Sequence, residues 1–407
     1  MDLLKVDTIK EARSKLAACC EGIMPGTETV GLSEAAGRVL AFDIFSKENI
    51  PPYRRSIMDG YAVRSKDLGA AGDMIPTTLK VTGEVQLGTD SSMLSVGSGC
   101  CVYVPTGGEV PEGADAVVMV EYCEPFGDDM LAVSKSASPG ENVVQVGEDV
   151  SEGGILLSKG RKLRPQDIGV LAAAGITTVP VFVPWRVTII STGDELVSPE
   201  DLPGPGQIRD VNSFTISARS AAEGFTVMRT LSVKDDIEAI SESLETAKND
   251  SDLVVISGGS SQGKKDMTAV LIAKAADCGV LTHGIAAKPG KPTITGYDMA
   301  SKTLFIGLPG HPAAALMVYE QLFISFWRCM TGREPMRTVK ARITSNTPSA
   351  PGRKTFQLVK LRGDKAEPVF ARSGMISPMS AADGYFIMSE NQEGIRAGET
   401  VDVFLWE

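Results

Sequence analysis

A chain of 407 residues is too long for one ordinary core and points to several domains. With 43% hydrophobic and 22% charged residues it has the balance of a soluble globular protein, and its net charge of -11 argues against nucleic acid as the main partner. Two histidines leave little room for a His-built metal site, and seven cysteines without a CxxC pair read as reduced thiols of a cytoplasmic protein.

The N-terminus lacks a signal-peptide layout. Thr8-Ile9-Lys10-Glu11 is a capping-box pattern, and Ile9, Ala12 and Leu16 recur at helical spacing, so a short amphipathic helix opens the chain and packs on another domain. Arg38 to Phe45 reads as a passage into strand. Pro51-Pro52 forbids helix, and Asp59-Gly60 marks a turn. From Leu79 to Val133 short β-rich runs alternate with Gly, Pro and Asp breaks, the pattern of an all-β insertion. The basic run Lys159 to Arg164 reads as solvated surface. Pro165 then opens a helix that Gly175 stops, and the uncharged run from Ile168 to Trp185 reads as a helix end leading into a strand rather than a membrane span.

From Trp185 the character is α/β. Val187-Thr188-Ile189-Ile190, Leu253-Val254-Val255-Ile256 and Thr303-Leu304-Phe305-Ile306 are continuous apolar runs of the kind buried on both faces of a parallel sheet. Between them, Asn212 or Ser213 can cap a helix ending at Gly224, Phe225 to Ser232 forms a further strand, a helix follows Asp235-Asp236, and Asp266 or Thr268 can cap the next helix. Ala313 to Thr331 is a long helix stopped by Gly332. Such alternation means right-handed βαβ units. Val339 to Trp406 alternates short runs with Gly and Pro and shows no helix, which suits a small β-barrel or sandwich. The fold class is therefore α/β plus β: a central parallel-sheet domain over 185–335, a β-rich insertion over 51–144, an elongated linker from 1–50 with 145–184, and a C-terminal β-barrel over 336–407.

Each apolar run stops in a small polar turn, and ligands of open α/β sheets gather at such turns. Ser257-Gly258-Gly259-Ser260-Ser261-Gln262-Gly263 offers N–H groups and hydroxyls to a phosphate; it is neither GxGxxG nor a Walker A, and the alternative is a plain turn. Lys288-Pro289-Gly290-Lys291-Pro292 is either a stiff loop presenting two ammonium groups to an anion or a rigid surface turn. Asp59, Asp149, Asp194, Glu195, Asp235, Asp236 and Asp266 all lie in turns and are hard oxygen donors suited to Mg²⁺ beside a phosphate, although capping explains Asp235 and Asp266 equally well. Glu195 follows a strand directly and is the first metal or acid/base candidate. His311 could touch ligand or simply shape its loop. No nucleophilic triad is readable.

Ser56 to Ala62, Pro105-Thr106-Gly107, Pro111 to Val118, Gly147-Glu148-Asp149, Ser191 to Leu196, Lys288 to Pro292 and Leu308-Pro309-Gly310-His311-Pro312 occur in this order. Together they closely resemble the MoeA family, the molybdopterin molybdenumtransferases that include the gephyrin E domain, across essentially the whole chain. The resemblance implies a molybdopterin-binding central domain. It also implies Mg²⁺-assisted insertion of molybdate into adenylyl-molybdopterin with release of AMP, in a homodimer whose cleft is shared between subunits. It places Asp59, Thr106 and Asp149 on one side, as catalytic or substrate-binding groups, and Glu195, Asp235 or Asp236, and Asp266 on the other, as metal ligands. Ser257, Gly258, Gly259, Ser261 and Asp266 would contact the pterin substrate, Lys288, Lys291 and the Pro309 to Pro312 turn would line an anion site, and Arg353 and Ser373 would complete an oxyanion pocket. The implied partners are the molybdopterin adenylyltransferase and apo-molybdoenzymes, with no nucleic acid and no membrane. A tungstate-inserting or adenylyl-transferring paralogue and a non-catalytic scaffold remain the alternatives; a scaffold has no use for buried acids, which sets the acidic group against it.

Overall fold

In the computed structural model, the structure describes residues 6–19, 25–258, 265–370 and 374–406, with the side chains of Lys265 and Asp266 left aside. Gly259, Ser261 and Ser373 therefore lie outside the described residues, as does the side chain of Asp266.

The central sheet has six strands. We number its elements β1 (Arg186–Thr192), α1 (Asn212–Glu223), β2 (Thr226–Val233), α2 (Ile237–Lys248), β3 (Leu253–Gly258), α3 (Lys265–Ala275), β4 (Val280–His283), β5 (Ile294–Asp298) and β6 (Thr303–Leu308). The strand order is β2-β1-β3-β6-β5-β4. The three apolar runs read from the sequence are β1, β3 and β6, adjacent and parallel, with Ile190 opposite Ile256 and Val255 opposite Ile306. They are buried throughout their centres, as continuous β-branched runs demand. The sheet is not wholly parallel, however: β5 pairs antiparallel to β6, and β4 pairs antiparallel to β5 at the far edge.

Several local expectations are corrected. The helix after β1 is capped neither by Asn212 nor by Ser213; the Asp210 carboxylate accepts the Ser213 N–H at 3.2 Å. Asp236, not Asp235, caps α2, accepting the Ala239 N–H at 2.8 Å. The α3 helix already includes Lys265, so Asp266 and Thr268 lie inside its first turn. The long helix after β6 runs as Pro312–Val318, a π-helical stretch Tyr319–Ile324 and Ser325–Thr331, with Gly332 at φ 73° ending it. A short helix, Ser377–Ala381, interrupts the C-terminal β region.

The opening helix, Ile9–Cys19, has its reciprocal cap: the Thr8 N–H reaches Glu11 at 2.7 Å and the Glu11 N–H reaches the Thr8 hydroxyl at 3.1 Å. Its Ile9, Ala12 and Leu16 are buried in the core of the central domain. Thr27–Gly31 pairs with Thr178–Phe182, and Ile44–Phe45 with Ile155–Leu157, so segments distant in sequence meet in two small two-stranded sheets. The uncharged run splits as expected into a helix, Pro165–Ala173, and that strand, and no helix among the described residues is long and apolar enough to cross a membrane. The basic run is only partly a solvated face: Lys159 and Arg164 are exposed, but Arg161 and Arg164 bind the buried Asp167 carboxylate, and Lys162 donates to the Ala222 carbonyl at 2.7 Å.

The insertion is a six-stranded sheet with Gly60–Val63 between Cys100–Val104 and Ala116–Met119. At the C-terminus, Lys354–Arg362, Lys365–Pro368, Thr338–Ile343, Thr400–Leu405 and Gly384–Met388 pair in sequence, and the last returns to the first, closing a five-strand barrel. Ala287–Lys288 pairs alongside Lys354 and Thr355, joining the central domain to the barrel wall.

Candidate active site

A cleft of about 1010 Å³ opens where β1 and β3 end. Its walls include Thr192 at the end of β1, Asp194 and Glu195 just after it, Asp235 after β2, Ser257 and Gly258 at the end of β3, and Gly310, His311 and Pro312 after β6. This is the carboxyl edge of a parallel sheet, where strand polarity brings together turns distant in sequence.

The acidic turns are tied to each other. The Asp235 N–H donates to the Asp194 carboxylate at 3.2 Å. The Ile208 N–H donates to the Glu195 carbonyl at 2.8 Å, so the segment from Leu196 to Arg209 folds back over the cleft mouth, closed by a parallel pairing of Leu196 with Ile208. Asp210 is buried, accepts from the Ser191 hydroxyl at 3.1 Å, and fixes the first turn of α1. Asn212 donates to the Ser257 hydroxyl at 2.6 Å and to the Gly310 carbonyl at 2.8 Å. One side chain at the start of α1 thus links the loop after β3 to the loop after β6.

Gly258 shows why this rim needs glycine. Its φ is 127°, and a Cβ there would stand 2.0 Å from the Thr192 carbonyl oxygen. Backbone comes close to backbone at the floor of the cleft, and no side chain fits between.

A second cavity of about 360 Å³ adjoins, lined by Lys288, Pro289, His311, Pro312, Phe356, Gln357 and neighbours from the barrel. It shares His311, Pro312 and Gly374 with the large cleft. Pro312 sits at the first position of its helix, where the helix needs no N–H from it. Pro309 is buried, whereas Lys291 and Arg353 are exposed and line neither cavity.

The remaining sequence candidates stand elsewhere. Asp59 accepts the Thr106 backbone N–H at 2.6 Å on the insertion sheet. That hydrogen bond, together with the Thr106 side chain, holds the Asp59 carboxyl below its usual range. Asp149 lies beside the Ile50–Val150 bridge, its N–H donating to the Ile50 carbonyl at 3.1 Å. None of these three lines the cleft of its own chain. Asp59, Asp149 and Glu195 are all exposed, so the expectation of buried acids does not hold for a single chain.

The metal candidates also divide. Among the described residues no three His, Cys, Asp or Glu side chains converge as a ligand set. Asp236 serves as a cap, and Glu195 and Asp235 share the cleft with Asp194. Mg²⁺ keeps several waters and is held through one or two carboxylates and substrate phosphates rather than by an all-protein cage, so this sparse set of hard oxygens fits it. The cleft residues that sequence reasoning missed are Asp210, Asn212 and Arg209. The only signal was an acid two residues before the helix start, which reads equally well as a cap.

Three family profiles match successive parts of the chain. The profile of the MoeA N-terminal region (domains I and II) matches residues 7–175, that of a "probable molybdopterin binding domain" matches 188–328, and that of the MoeA C-terminal region (domain IV) matches 340–406. The molybdopterin molybdenumtransferase of Haemophilus influenzae is 32% identical, over 97% of this chain and 98% of its own. Molybdopterin molybdenumtransferase 2 of Mycobacterium tuberculosis is 33% identical, over 81% of this chain and 82% of its own. The crystal structure of the molybdopterin biosynthesis MoeA protein of Pyrococcus horikoshii superposes with a TM-score of 0.83 at 32% identity, covering 99% of this chain and 100% of that one.

Proposed function

Because the chain belongs to the MoeA family of molybdopterin molybdenumtransferases, we propose that it inserts molybdate into adenylyl-molybdopterin in the cytoplasm, with Mg²⁺ and with release of AMP. The observation that carries this reading is the cleft itself. It sits in the part matched by the molybdopterin-binding profile, carries Asp194, Glu195 and Asp235 on one wall, and opens past His311 into a cavity bearing Lys288. The two anions of the reaction, an oxyanion and a nucleotide-bearing pterin, would then lie in adjoining compartments.

Ser257 and the Gly258 backbone at the end of β3 bind and orient the pterin substrate. Glu195 and Asp235 would hold the magnesium ion, which supplies charge neutralisation at the phosphoanhydride as AMP departs. Lys288 and the N–H groups after Pro312 hold molybdate while the two dithiolene sulfurs bond to the metal and one molybdate oxygen leaves as water with the two thiol protons. No covalent protein intermediate is needed. Asp59, Thr106 and Asp149 are absent from this chain's own cleft, which supports a homodimer in which the insertion sheet of one subunit faces the central domain of the other. The substrate comes from a molybdopterin adenylyltransferase, and the product passes to apo-molybdoenzymes.

The test is direct. Purified protein incubated with adenylyl-molybdopterin, Mg²⁺ and molybdate should release AMP and yield a cofactor that reconstitutes an apo-molybdoenzyme. No AMP release under these conditions would refute the reading.

A further inference from the structure

The Asn212 side chain is buried, yet its two ends are treated differently. Its amide nitrogen spends both hydrogens, one on the Ser257 hydroxyl and one on the Gly310 carbonyl. A carbonyl can only accept, so Gly310 fixes which end of the amide is nitrogen. The opposite atom, Oδ1, is buried and has no hydrogen-bond partner. Asn212 is also a wall residue of the large cleft. A buried acceptor without a donor is costly, and native structures rarely keep one without a use.

We propose that Asn212 is a specificity-determining residue whose Oδ1 accepts a hydrogen bond from the N–H edge of the pterin ring, an inference that rests on the reading of this cleft as the pterin site. The chemistry selects that edge. Phosphates and molybdate only accept, and they would be repelled by a carbonyl oxygen. The 2-amino group and N3–H of a pterin are adjacent donors on a rigid plane. Asn212 also occupies the Ser257 oxygen as an acceptor, which leaves the serine O–H to donate to the ligand. The residue thereby sets ring recognition and the orientation of a substrate-binding hydroxyl together, and its bond to Gly310 ties both to the loop that carries His311.

The test compares two probes on the full-length protein. Pterin has both donors; 3-methylpteridin-4-one has the same ring system and neither. Calorimetry on the wild type should show pterin bound roughly tenfold more tightly, the worth of about one hydrogen bond. In Asn212→Leu the two probes should bind alike. Should the leucine variant not fold, Asn212→Ala, which overfills nothing, provides the same comparison. A purely structural Asn212 would weaken both probes by one factor, so a variant that keeps the wild-type preference overturns the inference. Equal binding of both probes by a wild type that still binds molybdopterin overturns it too. A wild type that fails to bind molybdopterin at all refutes instead the pterin reading of the cleft.

Discussion

Asp59 accepts the backbone N–H of Thr106 at 2.6 Å, so two residues from separate motifs form one acidic point at the edge of the insertion sheet. Gly60 makes this possible, because any Cβ there would stand 2.2 Å from the Val118 carbonyl, and the strand must press flat against its neighbour just after Asp59. Asp59 is exposed and belongs to no cleft of its own chain, while Glu195 lines one. The shared-cleft arrangement makes a sharp prediction. Asp59→Asn and Glu195→Gln each remove one charge while keeping the side chain's shape, and should each lower AMP release about a hundredfold. Mixed and reassorted, the two inactive proteins should recover about a quarter of wild-type activity, since half of the dimers then carry one intact cleft. A mixture no more active than its components would show that the two acids do not meet across subunits.

Gly258→Ala addresses the floor of the cleft. The substitution forces a φ of 127° on a residue with a Cβ and drives that Cβ into the Thr192 carbonyl. The strain and the clash together should cost roughly 3 kcal/mol or more in denaturant unfolding. Molybdopterin binding should fall with it, because β1 and β3 must separate to relieve the overlap. An alanine variant of wild-type stability would mean that the close approach of Thr192 and Gly258 is not required.

What the sequence could and could not convey follows from the range of each interaction. The β1, β3 and β6 runs were legible because burial on both faces leaves an uninterrupted apolar signal, and the Thr8–Glu11 cap was legible because both partners lie within one turn. β5 was not. It contains Gly296 and ends in Asp298, which read as breakers, yet Gly296 is there because a Cβ would come 2.3 Å from Ile272 of the helix packed on it. The roles of Asp210 and Asn212 were hidden for a different reason. Their partners Ser191 and Ser257 are 19 and 45 positions away, so only the folded sheet shows that these polar residues hold the cleft rather than merely starting a helix. The basic run before Pro165 failed in the same way, since charge alone does not reveal that a buried carboxylate waits six residues on from Arg161.

The joint between the central domain and the barrel can be tested at Tyr385. Its hydroxyl donates to Glu320 at 3.0 Å and accepts from Gln321 at 2.9 Å, and Glu320 in turn binds Arg219 at 2.7 Å. All four side chains are buried. Burial pushes the Glu320 carboxyl up, against the pull of Arg219 and of the tyrosine hydroxyl. Tyr385→Phe leaves an oxygen and an amide nitrogen unpaired in the interior and should cost about 2–3 kcal/mol by denaturant unfolding. An unchanged midpoint would show that the barrel is held to the sheet without this contact.

Asp167 gives the acid side of the stability curve. Burial alone would raise its carboxyl, but hydrogen bonds from the Arg161 side chain at 2.7 Å and from the Arg164 backbone and side chain at 2.9 and 3.3 Å outweigh it and hold the group at about 2. The folded value lies below the unfolded one of ~3.9, so the carboxylate stabilises the fold above that pH, and its contribution fades as pH falls from ~4 to ~2. The depression corresponds to roughly 2 kcal/mol. Asp298 is likewise held at about 2, with Ser301, the Asp277 N–H and Lys248 overcoming its burial, so part of the acid slope survives without Asp167. Asp167→Asn should therefore be less stable than wild type near neutrality by roughly 2 kcal/mol, and the gap should narrow steadily below pH ~4. Urea unfolding of both proteins across that range decides it: a gap that stays constant down to the lowest pH would mean that the Asp167 contribution does not depend on its charge.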